Sequence, residues 1–318
     1  MPNTIIRDAP LPVFVVGSLV VACSARVARC PEAGESMEAT GFIMEAGGKG
    51  FNVALAAHRL DVPVEGVFAA GDDSAGVFMR QAFAEQGLPS DLIRTVASAT
   101  GAGVGLIQDD GENRIAVYPG ANALLSVEHI RERAERLHSA GLVFAQFEAP
   151  DAPIGEAFQL ARDAKVTTML NPSPYRPIGT EILAATDILI VNEQEMAALA
   201  SDRFWTGPYD GLAASLADIG VRTLVMTRGG RGALAWHCGA RIEQPGLAVE
   251  AIDSIGAGDA FAGAVIAALV TGESVAEALR WGCAAGALVV ARLGLAKALP
   301  NQLDLQKMLE FQGQGSPN

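Results

Sequence analysis

Beyond residue 140 the chain alternates short apolar runs with stretches of helical periodicity, and this restricts the fold more than any other feature. Leu142–Phe147, Val166–Leu170, Ile188–Val191 and Thr223–Thr227 read as strands, interleaved with helices over Ile154–Ala164, Glu193–Ala200 and Leu212–Gly220. Strands that are apolar on both faces must be covered on both faces. The expectation is therefore an α/β fold with an open, mostly parallel sheet between helical layers. In such sheets ligands sit at the carboxyl ends of the strands, so the loops there are where chemistry belongs. At 318 residues and 50% hydrophobic content the chain can bury a large core, as one α/β unit or two small domains.

The first half is less regular. Val13–Val16 reads as a buried strand and 22–46 as short strands and turns. A helix over Asn52–Leu60 follows, then a strand at Val64–Ala70 and a helix from Phe78 to Gln86 that stops at Gly87. Gly101–Ile107 and Arg114–Tyr118 flank Asp109-Asp110-Gly111 as a hairpin. Val127–His138 reads as one helix, Ala233–Glu243 as a second hairpin, and Ala257–Thr271 and Val275–Arg292 as two apolar helices before a polar tail at Gln312–Asn318. Val20-Val21-Ala22-Cys23 looks like a lipoprotein cleavage site. Against that, Asp8 cancels Arg7, Pro10 and Pro12 interrupt the approach, and Gly17-Ser18 splits the apolar stretch, so the strand reading prevails.

Composition excludes several classes. A formal charge of −13 leaves no basic surplus for nucleic acid or an anionic membrane. No apolar run approaches the roughly 18–20 residues that span a bilayer. The four cysteines (Cys23, Cys30, Cys238 and Cys283) have neither CxxC pairing nor metal-ligand spacing with histidine, which suits reduced thiols in a cytoplasmic protein.

Four segments carry chemistry. Asp253-Ser254-Ile255-Gly256-Ala257-Gly258-Asp259 directly precedes an apolar helix. Small residues at Gly256, Ala257 and Gly258 let backbone amides converge at a helix N-terminus, where phosphate or a developing oxyanion binds. Asp259, in the first helical turn, can favour the dipole or act as general base on a substrate hydroxyl. Gly47-Gly48-Lys49-Gly50 lacks the Walker frame, since Phe51 replaces the hydroxyl residue, but Lys49 and Asn52 offer donors beside bare backbone. Asn192-Glu193-Gln194-Glu195 follows a strand. Glu195 there can be a helix-start carboxylate or act on Mg²⁺ through water. Thr227-Arg228-Gly229-Gly230-Arg231-Gly232 suits a nucleotide or an ordinary hairpin.

Taken together and in this order, the segments resemble the ribokinase, or PfkB, family of carbohydrate kinases from about Val13 to Pro300. Pro31–Glu35, Gly71-Asp72-Asp73, Gly120-Ala121-Asn122, Gln146-Phe147-Glu148 and Asn171–Pro174 add smaller matches. The resemblance implies a three-layer α/β/α sandwich core (11–18, 46–98 and 123–311) and a small β-sheet lid (19–45 and 99–122), with 312–318 as a flexible tail. It implies ATP, Mg²⁺ and phosphoryl transfer to a primary hydroxyl of a sugar or sugar-like molecule. By position Asp259 is the base and Gly256–Gly258 the anion hole, while Gly48, Lys49, Gly50, Asn52 and Glu148 face the substrate. Asn192, Glu195, Thr227, Arg228, Gly229, Gly230, Arg231 and Gly232 serve nucleotide and Mg²⁺, and Cys283 stands where relatives touch adenine. A monovalent cation such as K⁺ falls to Asp253 and the backbone near Ile255, Val289, Arg292 and Gly294, although Ala298 replaces a common serine. The lid's exposed face implies a homodimer.

One departure concerns the substrate. Ribokinases follow the first strand with Gly-Ser-x-Asn-x-Asp, whose Asp grips two sugar hydroxyls; here Val20 and Ala22 occupy both polar positions. A diol docked there loses about 1–3 kcal/mol per unpaired group. Ribose is therefore not the expected acceptor, which should be less hydroxylated, differently oriented or substituted on that side. The alternatives are a nucleoside kinase of the same fold and a non-catalytic ligand-binding member.

Overall fold

All four side chains of Val13-Phe14-Val15-Val16 are buried, and they alternate between two apolar cores, Val13 and Val15 in one and Phe14 and Val16 in the other. A strand with no polar face belongs in the middle of a covered sheet. The computed structural model describes residues 10–108 and 112–313 and places it there. In chain order the first strands are β1 (Val13–Val16), β2 (Val20–Val27), β3 (Gly41–Gly47), β4 (Val64–Ala70), β5 (Ile93–Thr95), β6 (Ala102–Gln108) and β7 (Asn113–Tyr118). The rest are β8 (Leu142–Gln146), β9 (Thr167–Asn171), β10 (Ile188–Asn192), β11 (Thr223–Thr227), β12 (Ala233–His237) and β13 (Ala240–Gln244). The large sheet runs β13-β12-β11-β10-β9-β8-β1-β4-β5, parallel from β11 to β5, with β12 and β13 antiparallel at one edge.

Helices form two covering layers. They are α1 (Lys49–Arg59), α2 (Ser74–Glu85), α3 (Val127–Arg131), α4 (Ala134–His138), α5 (Asp151–Asp163) and α6 (Thr180–Ala184). Then come α7 (Glu193–Asp202), α8 (Tyr209–Ala217), α9 (Ala257–Val270), α10 (Val275–Val290) and α11 (Gln302–Gly313). Buried residues of α1, α2 and α9–α11 share the core of Val13 and Val15, and those of α3–α8 share that of Phe14 and Val16. The expected three-layer sandwich is thus present. No helix among the described residues is long and apolar enough to cross a membrane.

Chain order matters for the site. From β1 the sheet grows outward through β4 and β5, then returns to β1's other side and continues through β8 to β11. The loops leaving β1 and β8 therefore diverge, and a crevice opens between them.

A second sheet, ordered β3-β2-β6-β7, is mixed, because β2 pairs parallel with β6 while the outer pairs are antiparallel. Several local expectations change. Residues 22–46, expected as short strands and turns, fall largely in two long paired strands, β2 and β3, and the loop between them. Val20–Cys23, the lipoprotein-like stretch, lies inside β2 and pairs with β3 throughout; Arg7 and Asp8 lie outside the described residues. The expected helix over 127–138 breaks into α3 and α4. Only Ile130 and Leu137 of it are buried, and Arg133 leaves helical geometry (φ −114°, ψ 13°) where its guanidinium meets Asp91 at 2.8 Å. The helix expected from Phe78 starts at Ser74, because the Asp73 carboxylate accepts from the Gly76 amide at 2.7 Å. The β6–β7 hairpin is present, with its turn Asp109-Asp110-Gly111 outside the described residues. Of the expected tail, Gln312 and Gly313 are helical, and 314–318 lie outside the described residues.

Asn122 joins the two sheets. Its side-chain oxygen accepts from the Leu19 amide at 2.9 Å and its nitrogen donates to the Leu19 carbonyl at 2.8 Å, with both residues buried. Asn122→Ala strands both backbone groups, which costs about 2–4 kcal/mol. Urea unfolding should show a lower midpoint at unchanged slope.

Candidate active site

The crevice between β1 and β8 is closed by one hydroxyl. Ser18, just past β1, donates to Glu148 Oε2 at 2.7 Å and accepts from the Gly50 amide at 3.1 Å and Gln146 Nε2 at 3.0 Å. Glu148 Oε2 also accepts from the Lys49 amide at 2.8 Å, and the Glu148 amide donates to Gln146 Oε1. Three segments distant in sequence meet here. The approach is so close that a Cβ on Gly50 would stand 2.4 Å from the Ser18 nitrogen. Gly48 starts α1 at φ +104°, where its Cβ would meet the Ser18 carbonyl at 2.6 Å. Sequence reasoning gave Ser18 and Gln146 no role of their own. Their signal was a pair of polar side chains at the ends of two fully buried strands.

Asp259 lies across α1 from this node. It occupies the first turn of α9, entered through Gly256 in left-handed geometry (φ +80°). Helices α1 and α9 pack so tightly that a Cβ on Gly263 would stand 2.5 Å from that of Ala56. That packing brings Asn52 Nδ2 to Asp259 Oδ2 at 2.7 Å, with both residues buried. Burial raises the Asp259 pKa, the Lys49 charge and the Asn52 hydrogen bond pull it back down, and Glu148 and Glu195 raise it. The amide oxygen of the same side chain, Asn52 Oδ1, is buried without a hydrogen-bond partner, so it remains open to a ligand's donor. Above Gly258, no heavy atom beyond its own chain neighbours and helix backbone lies within 4 Å of where a Cβ would be. The Ala257 amide is held by the Ser254 carbonyl at 3.3 Å.

The expected nucleotide segments lie side by side. Asn192 and Thr227 are register partners at the ends of β10 and β11. Asn192 and Glu195 form a reciprocal capping box, each side chain accepting from the other's amide at 2.8 Å. Glu195 is buried, so the helix-start reading of this residue is realised with one carboxylate oxygen engaged. Arg228 donates to Glu243 at 2.8 Å and Arg231 to Glu193, so both guanidiniums already have carboxylate partners. The turn between them is open, for a Cβ on Gly229 or Gly230 would meet nothing within 4 Å. Gly232 (φ +87°) has no such room, since its Cβ would stand 2.1 Å from the Gln244 carbonyl. Cys283 is buried on α10, which packs against β12 and β13 beyond this turn, and burial pushes its thiol up to about 12 while the Arg228 charge lowers it.

The segments expected to hold a monovalent cation also converge. The amides of Ile252 and Asp253 donate to the Val290 carbonyl at 2.8 and 3.2 Å, and Asp253 Oδ1 accepts from the Ile255 amide at 3.0 Å. The Val289 carbonyl accepts from the Arg292 amide at 2.9 Å, and Gly294 turns the chain at φ +88°. The Arg292 side chain pairs with Asp304 at 3.0 Å. No cluster of three or more His, Cys, Asp or Glu able to hold a metal occurs among the described residues. Mg²⁺ does not require one, since it keeps several waters and few protein ligands. Val20 is buried outside both apolar cores and Ala22 is half-buried on the same face of β2.

Comparisons with known proteins identify the family. The pattern of the pfkB family of carbohydrate kinases matches residues 12–302. Haemophilus influenzae ribokinase is 33% identical over 280 residues, covering 87% of this chain and 90% of that one. An ATP-dependent ribose-1-phosphate kinase from Halopiger xanaduensis is 34% identical over 278 residues, covering 86% and 90%. The structure of Arabidopsis thaliana ribokinase complexed with ribose and ATP matches at a TM-score of 0.87 and 30% identity, over 95% of this chain and 99% of that one. The chain belongs to the pfkB family of carbohydrate kinases and is a phosphotransferase.

Proposed function

We propose that this protein is an ATP-dependent sugar kinase that transfers the γ-phosphate to a primary hydroxyl of a sugar or sugar-like alcohol. The observation that carries this reading is Asp259, a buried carboxylate held by Asn52 beside the open backbone of Gly258. Asp259 takes the proton of the acceptor hydroxyl as that oxygen bonds to the γ-phosphorus. The bond to the bridging oxygen breaks in line, and ADP leaves with the electron pair. The backbone at Gly256, Ala257 and Gly258, with the α9 dipole behind it, receives the charge that develops on the phosphoryl oxygens. Lys49, Gly48, Gly50, Asn52 and Glu148 line the acceptor side, where the Ser18 node fixes the orientation of Glu148.

The turn from Thr227 to Gly232, with Asn192 and Cys283, receives the nucleotide. Arg228 and Arg231 shape that turn through their glutamate partners. Glu195, with Asn192, would hold Mg²⁺ through water, and the ion when bound neutralises phosphate charge. Asp253 and the backbone at Ile255, Val289, Arg292 and Gly294 would hold a monovalent cation such as K⁺ behind the α9 entrance.

The small sheet serves as a lid that excludes water from the transfer. Phe42, Ile43, Met44, Val104, Ile115 and Val117 on it are exposed, which supports a homodimer formed through the lid. Four free cysteines without a disulfide suit a cytoplasmic enzyme. The acceptor meets Val20 and Ala22 in place of polar groups, so a sugar with hydroxyls directed at β2 is bound poorly.

Coupled ADP release across pentoses, hexoses, deoxysugars, sugar phosphates and nucleosides tests this reading. One sugar-class acceptor should stand out, and Asp259→Asn should lower its turnover by about 10²–10⁴-fold while ATP·Mg²⁺ still binds. Turnover of nucleosides alone would make the protein a nucleoside kinase. Silence across the panel despite ATP·Mg²⁺ binding would make it a binding protein, and full activity in Asp259→Asn would remove Asp259 as base.

A further inference from the structure

On β2 and β3, directly paired residues present their side chains to the same face of the small sheet. Ala22 pairs with Gly103 of β6 on one side and with Glu45 of β3 on the other, so these three form one row across the sheet. The neighbouring row contains Val20 opposite Gly47. This face looks into the cleft. A Cβ on Gly47 would stand 3.1 Å from the Leu295 side chain, and one on Gly256 would stand 2.6 Å from the same leucine. Leu295 therefore lies between β3 and the entrance to α9. The opposite face is sealed at its base, where Val21 is buried in the core and Cys23 and Ala46 pack against it.

Within the two rows, Glu45 is the single polar side chain. It is half-buried and makes no hydrogen bond or ion pair among the described residues. Its Oε1 lies 3.3 Å from where a Cβ on Gly294 would be, so the glycine at φ +88° leaves the carboxylate its space. An ionised carboxylate accepts only, through two oxygens, and can accept hydrogen bonds from two adjacent hydroxyls at once. Partly withdrawn from water and unpaired, it gains most from a ligand that brings such donors.

We infer that Glu45 holds a vicinal diol of the acceptor sugar from β3, beside the apolar Val20 and Ala22 of β2. The inference rests on the kinase reading and narrows it. The acceptor keeps a diol but is turned toward β3, with its less polar side against Val20 and Ala22. Gly103 and Ala22 supply the room for that displacement, and Glu45 supplies the specificity. Glu45 is a substrate-binding residue here, with no part in the phosphoryl chemistry.

Calorimetric titration of D-ribose and 2-deoxy-D-ribose into the full chain, saturated with ADP·Mg²⁺, tests this directly. The wild-type protein should bind D-ribose about tenfold or more tighter than its 2-deoxy analogue, the effect of one charge-assisted hydrogen bond. Glu45→Ala should bind both equally weakly. Adding Ala22→Asp to Glu45→Ala should restore the preference from the neighbouring strand. In steady-state assays Glu45→Gln should raise KM for the sugar and leave KM for ATP unchanged, with thermal unfolding confirming that each variant folds. A preference that survives in Glu45→Ala, or is lacking in the wild type, overturns the inference. Binding of neither sugar by a protein that still binds ATP·Mg²⁺ also overturns it, while leaving the kinase reading with another acceptor class. Failure to bind ATP·Mg²⁺ defeats the kinase reading and the Glu45 inference with it.

Discussion

The hydroxyl of Ser18 is the constraint on which the site depends. It stands where strand order reverses between β1 and β8, and it ties the loop after each strand to the glycine-rich entrance of α1. A parallel sheet opens a crevice at such a point without fixing what lines it. Here three hydrogen bonds to one buried oxygen do the fixing. They hold Glu148 in one orientation and bring the Lys49 amide onto the same carboxylate oxygen. Gly48 and Gly50 thus serve close backbone approach to Ser18 as much as approach to any ligand.

From that node the position of Asp259 follows through packing. Gly263 lets α9 press against α1, so the residue one turn into α9 meets Asn52 on α1. The result is a carboxylate withdrawn from water yet balanced between one cation and two further carboxylates. Burial and the two carboxylates raise the proton affinity of this acid above that of an ordinary aspartate while Lys49 opposes the rise, which is the direction that favours a general base. The backbone at Gly258 stands open beside it.

Much of this was legible in the sequence, because the controlling signals are local. Alternating apolar runs and helical periods disclosed the three-layer sheet, and Gly-Ala-Gly-Asp before an apolar helix disclosed the α9 entrance. What stayed hidden depends on register between distant segments. Nothing near Arg228 or Arg231 announces that Glu243 and Glu193 neutralise them. Nothing near Ala22 announces that Glu45 stands beside it, since that pairing is set by the β2–β3 ladder. Ser18 and Gln146 each look ordinary until β1 and β8 become neighbours. The break between α3 and α4 was invisible for the same reason, as Arg133 is engaged by Asp91 from a separate segment.

The central claim is that Asp259 works as a base whose proton affinity is set by burial and moderated by Lys49. The direct test is the pH dependence of kcat/KM, which reports groups of the free enzyme, in the wild type and in Lys49→Met. Because burial raises the Asp259 pKa, the acid limb should fall above the ordinary aspartate range, with activity lost as pH drops through it. Removing the Lys49 charge, which opposes that rise, should move the limb to still higher pH. A limb at the ordinary aspartate range, or one that stays in place in Lys49→Met, would contradict the account.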